Sequence, residues 1–194
     1  MGFSLLEILI SIIILSFGLL GMVGMQAAAL QSNKEARYQS SAVRMARELG
    51  ELMRNNKEVG VLTTTAANPY LVDWNSASTV PVAAVNCMTG DCYSDATTTK
   101  LQIATFDIRD WVMRLNTELP GARVKVCFDD APFNSGGTPQ WTCTAGGTVA
   151  VIKIGWTRGS TDRTLSGASA FEKSTGVGAS PPSVVLPVTA GSTT

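Results

Sequence analysis

The chain contains no histidine. A Ser-His-Asp or Cys-His arrangement is therefore impossible, and so is any imidazole general base. Carboxylate and lysine chemistry stay formally open, but no acidic pair sits in an active-site motif. Asp129-Asp130 reads as the opening of a turn. Gly136-Gly137 and Gly146-Gly147 lack a following Lys-Ser/Thr, so they read as turns and not as phosphate loops. Charge is also scarce. Only 15% of residues are charged, fifteen basic against fifteen acidic. That balance points to neither a nucleic-acid nor an acidic-substrate partner. No enzyme and no cofactor is expected.

One absence is local. Between Glu7 and Lys34 there is no charged residue and no proline, and apolar side chains from Ile8 to Leu30 fill most of the interval. A helix needs about 20 apolar residues to cross the ~30 Å hydrocarbon core of a bilayer, so this run is long enough. It is apolar on all sides, as a lipid-facing or fully buried helix is. A cleaved secretory signal would need a basic region in front and a shorter apolar core. Glu7 is the exception at its edge. A carboxylate beside a membrane span is costly, so it marks either a function or the headgroup boundary. Gly18, Gly21 and Gly24 interrupt the run at three-residue spacing; they weaken a helix and let helices approach closely.

Gly2-Phe3-Ser4-Leu5-Leu6-Glu7 followed by an apolar helix resembles the class III signal of type IV pilins and type II secretion pseudopilins. The continuation Ser16-Phe17-Gly18-Leu19-Leu20-Gly21-Met22-Val23-Gly24-Met25-Gln26 is similar to minor pilins of the PilV type. The resemblance implies cleavage by a prepilin peptidase after Gly2 and N-methylation of the new terminal Phe3. It implies that Glu7, fifth in the mature chain, accepts the terminal amine of a neighbouring subunit during assembly. It also implies a longer leader, with basic residues ahead of Gly2. The three glycines would then serve packing and local unwinding in a filament.

Past Leu30 the pattern becomes amphipathic. Tyr38, Ala42, Met45, Leu49 and Leu52 form a helical stripe that Ala46 and Met53 broaden. Ion pairs are expected at Arg44/Glu48, Arg47/Glu51 and Arg54/Glu58. Gly60 is a plausible stop. One helix from Phe3 to about Glu58 would be ~80 Å long. Residues 61–98 look loop-like, with a short strand possible at Val80–Val85. A second helix starts between Ser94 and Thr99. Its apolar face is Leu101, Ala104, Ile108, Trp111, Val112, Leu115 and Leu119, with Trp111 as core. Its polar face includes Asp107, Asp110, Arg114 and Glu118, with Asp110/Arg114 paired. Leu119-Pro120-Gly121 ends it. The period then switches to two. Strands are expected at residues 123–128, Trp141-Thr142-Cys143 and Thr148–Trp156, giving an antiparallel sheet of about three strands. Ser183–Val188 is a candidate edge strand, which Pro187 permits. Residues 158–182 read as a loop, and the last six residues as frayed.

Four cysteines, Cys87, Cys92, Cys127 and Cys143, allow three connectivities. Cys87–Cys92 and Cys127–Cys143 are favoured because each closes a short loop; free thiols are the alternative. An even count in an anchored domain suggests an oxidising compartment. Zinc is disfavoured, since Cys87 and Cys92 have no second close pair and no histidine beside them. The Cys87–Cys92 spacing, the Trp111 helix and the Leu-Pro-Gly stop again look like PilV-type proteins.

The expected fold is therefore α+β and pilin-like: a long N-terminal transmembrane and amphipathic helix packed on a small antiparallel sheet. Residues 1–2 would be residual leader, 3–30 the membrane half of the helix, 31–59 its amphipathic half, and 60–194 a periplasmic or extracellular head. The expected function is that of a minor structural subunit in type IV pilus assembly. Its partners would be other major and minor pilins, prepilin peptidase, inner-membrane lipid and the pilus assembly platform. A type II secretion minor pseudopilin is one alternative, a membrane-tethered adhesin or binding module another. One observation points the other way. Lys34, Arg37, Arg44 and Arg47 follow the span, which by the positive-inside rule alone would keep the C-terminal part in the cytoplasm. The cysteines and the resemblance place it outside.

Overall fold

The computed structural model describes residues 4–83, 86–88, 92, 98–160, 162, 164–176 and 178–191. The chain divides into two compact units, Met1–Tyr38 and Gln39–Thr194. Helix α1, Leu5–Asn55, contributes to both.

In the first unit α1 is an unbroken helix through Gly18, Gly21 and Gly24, each with open space where a Cβ would sit. Its large apolar side chains from Leu5 to Leu30 are exposed. The helix is long and apolar enough to cross a membrane. The two polar hydroxyls inside the run are consumed by the helix itself. Ser11 Oγ donates to the Glu7 carbonyl and Ser16 Oγ to the Ile12 carbonyl, both at 2.7 Å, which is how serine enters an apolar segment without an orphan donor. Lys34 Nζ lies 5.9 Å from the Tyr38 ring centroid.

In the second unit the amphipathic part of α1 buries Ala42, Met45, Ala46, Leu49, Gly50 and Met53. Gly50 replaces the expected Leu52 in the stripe because the Val188 methyls sit 3.3–3.4 Å from its missing Cβ. The helix stops earlier than its sequence pattern suggests. Asn56 leaves helical geometry at φ −114, ψ 54, and its Nδ2 donates to the Lys100 carbonyl at 2.7 Å. A short α2, Lys57–Gly60, follows and ends at the expected glycine.

Helix α3, Thr98–Glu118, lies beside α1. It buries Ala104, Ile108, Trp111, Val112 and Leu115, with Leu119 just beyond its end, whereas Leu101 is half-exposed. Trp111 Nε1 donates to the Met45 carbonyl at 3.0 Å, so the indole is core with its polar atom satisfied. This pairing of helices redirects the expected charges. Arg44 bonds Glu118 at 2.6 Å, Glu48 takes Arg114 at 2.6 Å, Glu58 takes Lys100, and Arg54 pairs with Glu51. Arg44/Glu48 does not form because α3 offers Glu118 and Arg114 across the interface. Arg47/Glu51 and Arg54/Glu58 do not form because Glu51 and Arg54 pair with each other along α1 while Glu58 reaches Lys100 on α3. Asp110–Arg114 does form, at 3.0 Å. All are partly exposed and worth at most about 1 kcal/mol each.

The sheet is four-stranded and antiparallel, in the order β1 (Asp73–Asn75), β2 (Arg123–Phe128), β3 (Ala150–Gly155), β6 (Val184–Val188). Val124 stands opposite Ile154 and Val126 opposite Ile152, and Ile152 in turn opposite Leu186. Val188, opposite Ala150 on the same face, packs against Gly50 of α1. A second pair, β4 (Arg158–Gly159) with β5 (Phe171–Glu172), and a 3₁₀ turn at Gly167–Ala170 occupy the stretch expected to be loop. The three-strand expectation is thus corrected twice. Asp73–Asn75 is a strand, held by pairing to β2 and by Lys125 Nζ on Asp73 Oδ2 at 2.8 Å. Trp141-Thr142-Cys143 is not a strand. It crosses the outer face of the sheet as a loop, and β6 takes the place beside β3. Residues 80–83 form no strand, and the remainder of Val80–Val85 lies outside the described residues.

Candidate functional site

Three places hold the residues that matter. The first is the start of α1. Ser4 occupies the cap: Leu6 N reaches its Oγ at 3.4 Å, and Glu7 N its carbonyl at 3.0 Å. Ser4-Leu5-Leu6-Glu7 has the spacing of a capping box. Glu7 also stands in the first turn, where a negative charge meets the positive end of the helix dipole. It is exposed, and among the described residues no ion pair reaches it. Gly2 and Phe3, the expected cleavage and methylation positions, lie outside the described residues.

The second place is the pair of cystines. Cys87 is bonded to Cys92 with Cα atoms 5.3 Å apart, and Cys127 to Cys143 with Cα atoms 6.5 Å apart. No free thiol remains. Asn86 Oδ1 accepts from Met88 N at 3.0 Å, which turns the chain at the exposed Met88, while Cys92 is buried.

The third was not legible in the sequence. Lys153 lies on β3 between Ile152 and Ile154, a position that alternation assigns to the outer face, yet it is wholly buried. The loop between Cys127 and Cys143 covers it. Lys153 Nζ donates to Asp129 Oδ2 at 2.5 Å and to the Thr142 carbonyl at 2.8 Å. Asp129 Oδ1 accepts from Ala131 N at 3.0 Å, Thr144 N at 3.0 Å and Thr144 Oγ1 at 2.7 Å. Asp130, by contrast, is exposed and does form a turn, accepting from Thr148 N at 2.8 Å and Oγ1 at 2.9 Å. The cover continues along the strand. Trp141 stacks on the Arg123 guanidinium at 4.2 Å, donates from Nε1 to the Ser180 carbonyl at 2.8 Å, and passes so close to Gly155 that a Cβ there would meet Cζ2 at 2.9 Å. Gly147 lets the return of the loop approach Phe128 and Asp129 backbone atoms that a Cβ would strike at 2.6 Å. Lys125 and Lys153 stand directly opposite each other on β2 and β3. The repulsion expected of like charges there is offset because each has its own carboxylate, Asp73 and Asp129.

Cys127, Asp129 and Cys143 place potential ligand atoms within 4.8 Å of one another. The sulfurs are joined as cystine, not thiolate, and an ammonium already holds the carboxylate. A cation therefore gains no metal-binding donor set here.

Burial pushes the Asp129 carboxyl up, but Lys153, the Thr144 hydroxyl and the N–H groups of Thr144 and Ala131 together hold it down, to about 2. A folded pKa below the ordinary value near 4 means that the stabilisation is full above pH ~4 and is lost as pH falls toward 2. The loss is on the order of 2 kcal/mol. Urea midpoints between pH 5 and pH 2 should fall accordingly, and Asp129→Asn should flatten that part of the profile; an unchanged profile in the variant would remove the assignment. A second buried contact joins Tyr70, whose hydroxyl donates to Asp107 Oδ2 at 3.1 Å. Burial, then the Asp107 charge, pushes the phenol up, and burial raises Asp107 as well.

No protein-family model, curated protein or solved structure matches the chain.

Proposed function

We propose that the chain is a filament subunit, a minor pilin of a type IV pilus of the PilV kind, and that its activity is assembly rather than catalysis. One observation carries the reading. A helix with exposed apolar side chains from Leu5 to Leu30, opened by Ser4 and Glu7, continues in the same chain into a disulfide-bonded α+β unit. Such a helix needs an apolar surrounding, which lipid supplies before assembly and neighbouring helices supply afterwards. In this reading the peptidase cuts after Gly2, Phe3 becomes the methylated terminus, and Glu7 takes the amine of a neighbouring Phe3. Two opposite charges attract far more strongly in apolar surroundings than in water, but each loses hydration, so the pair chiefly sets register. The α+β unit is then carried outward as a rigid, oxidised head.

Intact-mass analysis of the protein from a host that carries a prepilin peptidase tests this. The expected species begins at N-methylated Phe3 and co-purifies with sheared filaments. A species that retains Gly2 in the presence of the peptidase would overturn the reading, as would a processed species that never enters filaments.

A further inference from the structure

We infer that Lys153 is the positioning residue for the Cys127–Cys143 disulfide, its buried ammonium holding the chain on both sides of the bond so that the two thiols meet before they are oxidised. The contacts bracket the cystine without using either sulfur. Asp129, which accepts from Lys153 at 2.5 Å, lies two residues beyond Cys127. Thr142, whose carbonyl accepts from the same ammonium at 2.8 Å, immediately precedes Cys143. Thr144, immediately after Cys143, donates twice to the other oxygen of Asp129. Cys143 is thus gripped at both neighbours, Cys127 is gripped through Asp129, and one nitrogen joins the two halves. The Lys153 and Asp129 side chains are both 0% exposed, so water does not compete for these bonds.

The two cysteines are 16 residues apart in sequence. Ordering that loop costs entropy, and a flexible tether brings its ends together at an effective concentration only in the mM range. A bracket formed by β3 and the loop supplies that order in advance. The chemistry is thiol–disulfide exchange with a small disulfide such as oxidised glutathione. One cysteine thiolate attacks a glutathione sulfur, forming a mixed disulfide and releasing one glutathione thiolate. The second cysteine thiolate then attacks the protein sulfur of that mixed disulfide and releases the second glutathione. The glutathione S–S bond is broken, the protein S–S bond is made, the two protein thiols give up two protons, and two electrons pass to glutathione. Lys153 acts on the second, intramolecular attack, where the distance between the cysteines decides the rate and the equilibrium. This role goes beyond the assembly reading and does not depend on it.

The test uses the full chain in detergent micelles, equilibrated across ratios of reduced to oxidised glutathione, quenched by alkylation and mapped by peptide mass. Each disulfide then yields its own effective concentration in one sample. For Lys153→Met and Asp129→Asn, the value for Cys127–Cys143 is expected to fall at least tenfold while that for Cys87–Cys92 stays within twofold. Asp129→Asn keeps the size of the side chain and an oxygen for Thr144 and Ala131, so it serves if Lys153→Met does not fold. An unchanged Cys127–Cys143 value in folded Asp129→Asn overturns the inference. A parallel fall of both disulfides overturns it too, because a general loss of structure would then suffice.

Discussion

Asp129→Ala is expected to lower the stability of the Gln39–Thr194 unit by about 3–5 kcal/mol, the usual cost of leaving a buried charge without its partner. The side chains of Lys153 and Asp129 are both 0% exposed, so the ammonium cannot reach water without lifting the loop that covers it. The same substitution also orphans the donors of Ala131 and Thr144. No other polar contact here is expected to cost as much. The ion pairs between α1 and α3 are partly exposed and contribute at most about 1 kcal/mol each. A cystine closing a loop of about this length is worth about 3 kcal/mol in the chain-entropy model. All four tryptophans, Trp74, Trp111, Trp141 and Trp156, lie in this unit, so fluorescence during urea unfolding of the full chain reports on it directly. The double variant Asp129→Leu with Lys153→Met is the decisive comparison. It strands no charge, so it should be more stable than Asp129→Ala despite carrying one more substitution. If the single variant loses less than about 1 kcal/mol, the pair is not the anchor of the outer face.

The helices and the central strands were legible because their signal is local. The stripe from Ala42 to Met53, the face from Ala104 to Leu115, and the alternation through Val124 and Val126 each repeat with the period of the element they form. The Leu119-Pro120-Gly121 stop and both cystines followed from equally local chemistry. What escaped is what only tertiary contact decides. Asp73–Asn75 has three residues, too few for a period, and is a strand because β2 pairs with it. Trp141-Thr142-Cys143 has strand-forming residues but spends its polar groups on the Ser180 carbonyl and on Lys153. Arg44 and Glu48 have the right spacing for each other, yet Glu118 and Arg114 on α3 offer better geometry. Lys153 was the least legible. A lysine between two isoleucines is the ordinary sign of a solvated outer face, and nothing in the sequence announces that a cystine-closed loop folds over it. Asp129-Asp130 looked like one turn, but the two carboxylates part: Asp130 turns the chain and Asp129 enters the interior.

Glu7→Gln is expected to reduce incorporation into filaments at least tenfold, equivalent to about 1.4 kcal/mol of lost assembly free energy, while leaving the stability of the Gln39–Thr194 unit unchanged. The two readouts separate because Glu7 belongs to the other unit and makes no ion pair among the described residues. Glutamine is the sharper control than alanine. Ser4-Leu5-Leu6-Glu7 has the spacing of a capping box, and such a box accepts glutamine as well as glutamate. The substitution therefore preserves size and hydrogen-bonding capacity, and deletes only the charge that a neighbour's amine would meet. Glu7→Ala removes the polar side chain altogether, so the difference between the variants measures any local role at the helix start. Subunit content of sheared filaments and unfolding of the detergent-solubilised chain, taken for both variants, give the answer. Normal incorporation of Glu7→Gln with reduced incorporation of Glu7→Ala would make Glu7 a capping residue at the membrane boundary. Reduced incorporation of both, with unfolding unchanged, is the result that charge pairing between subunits requires.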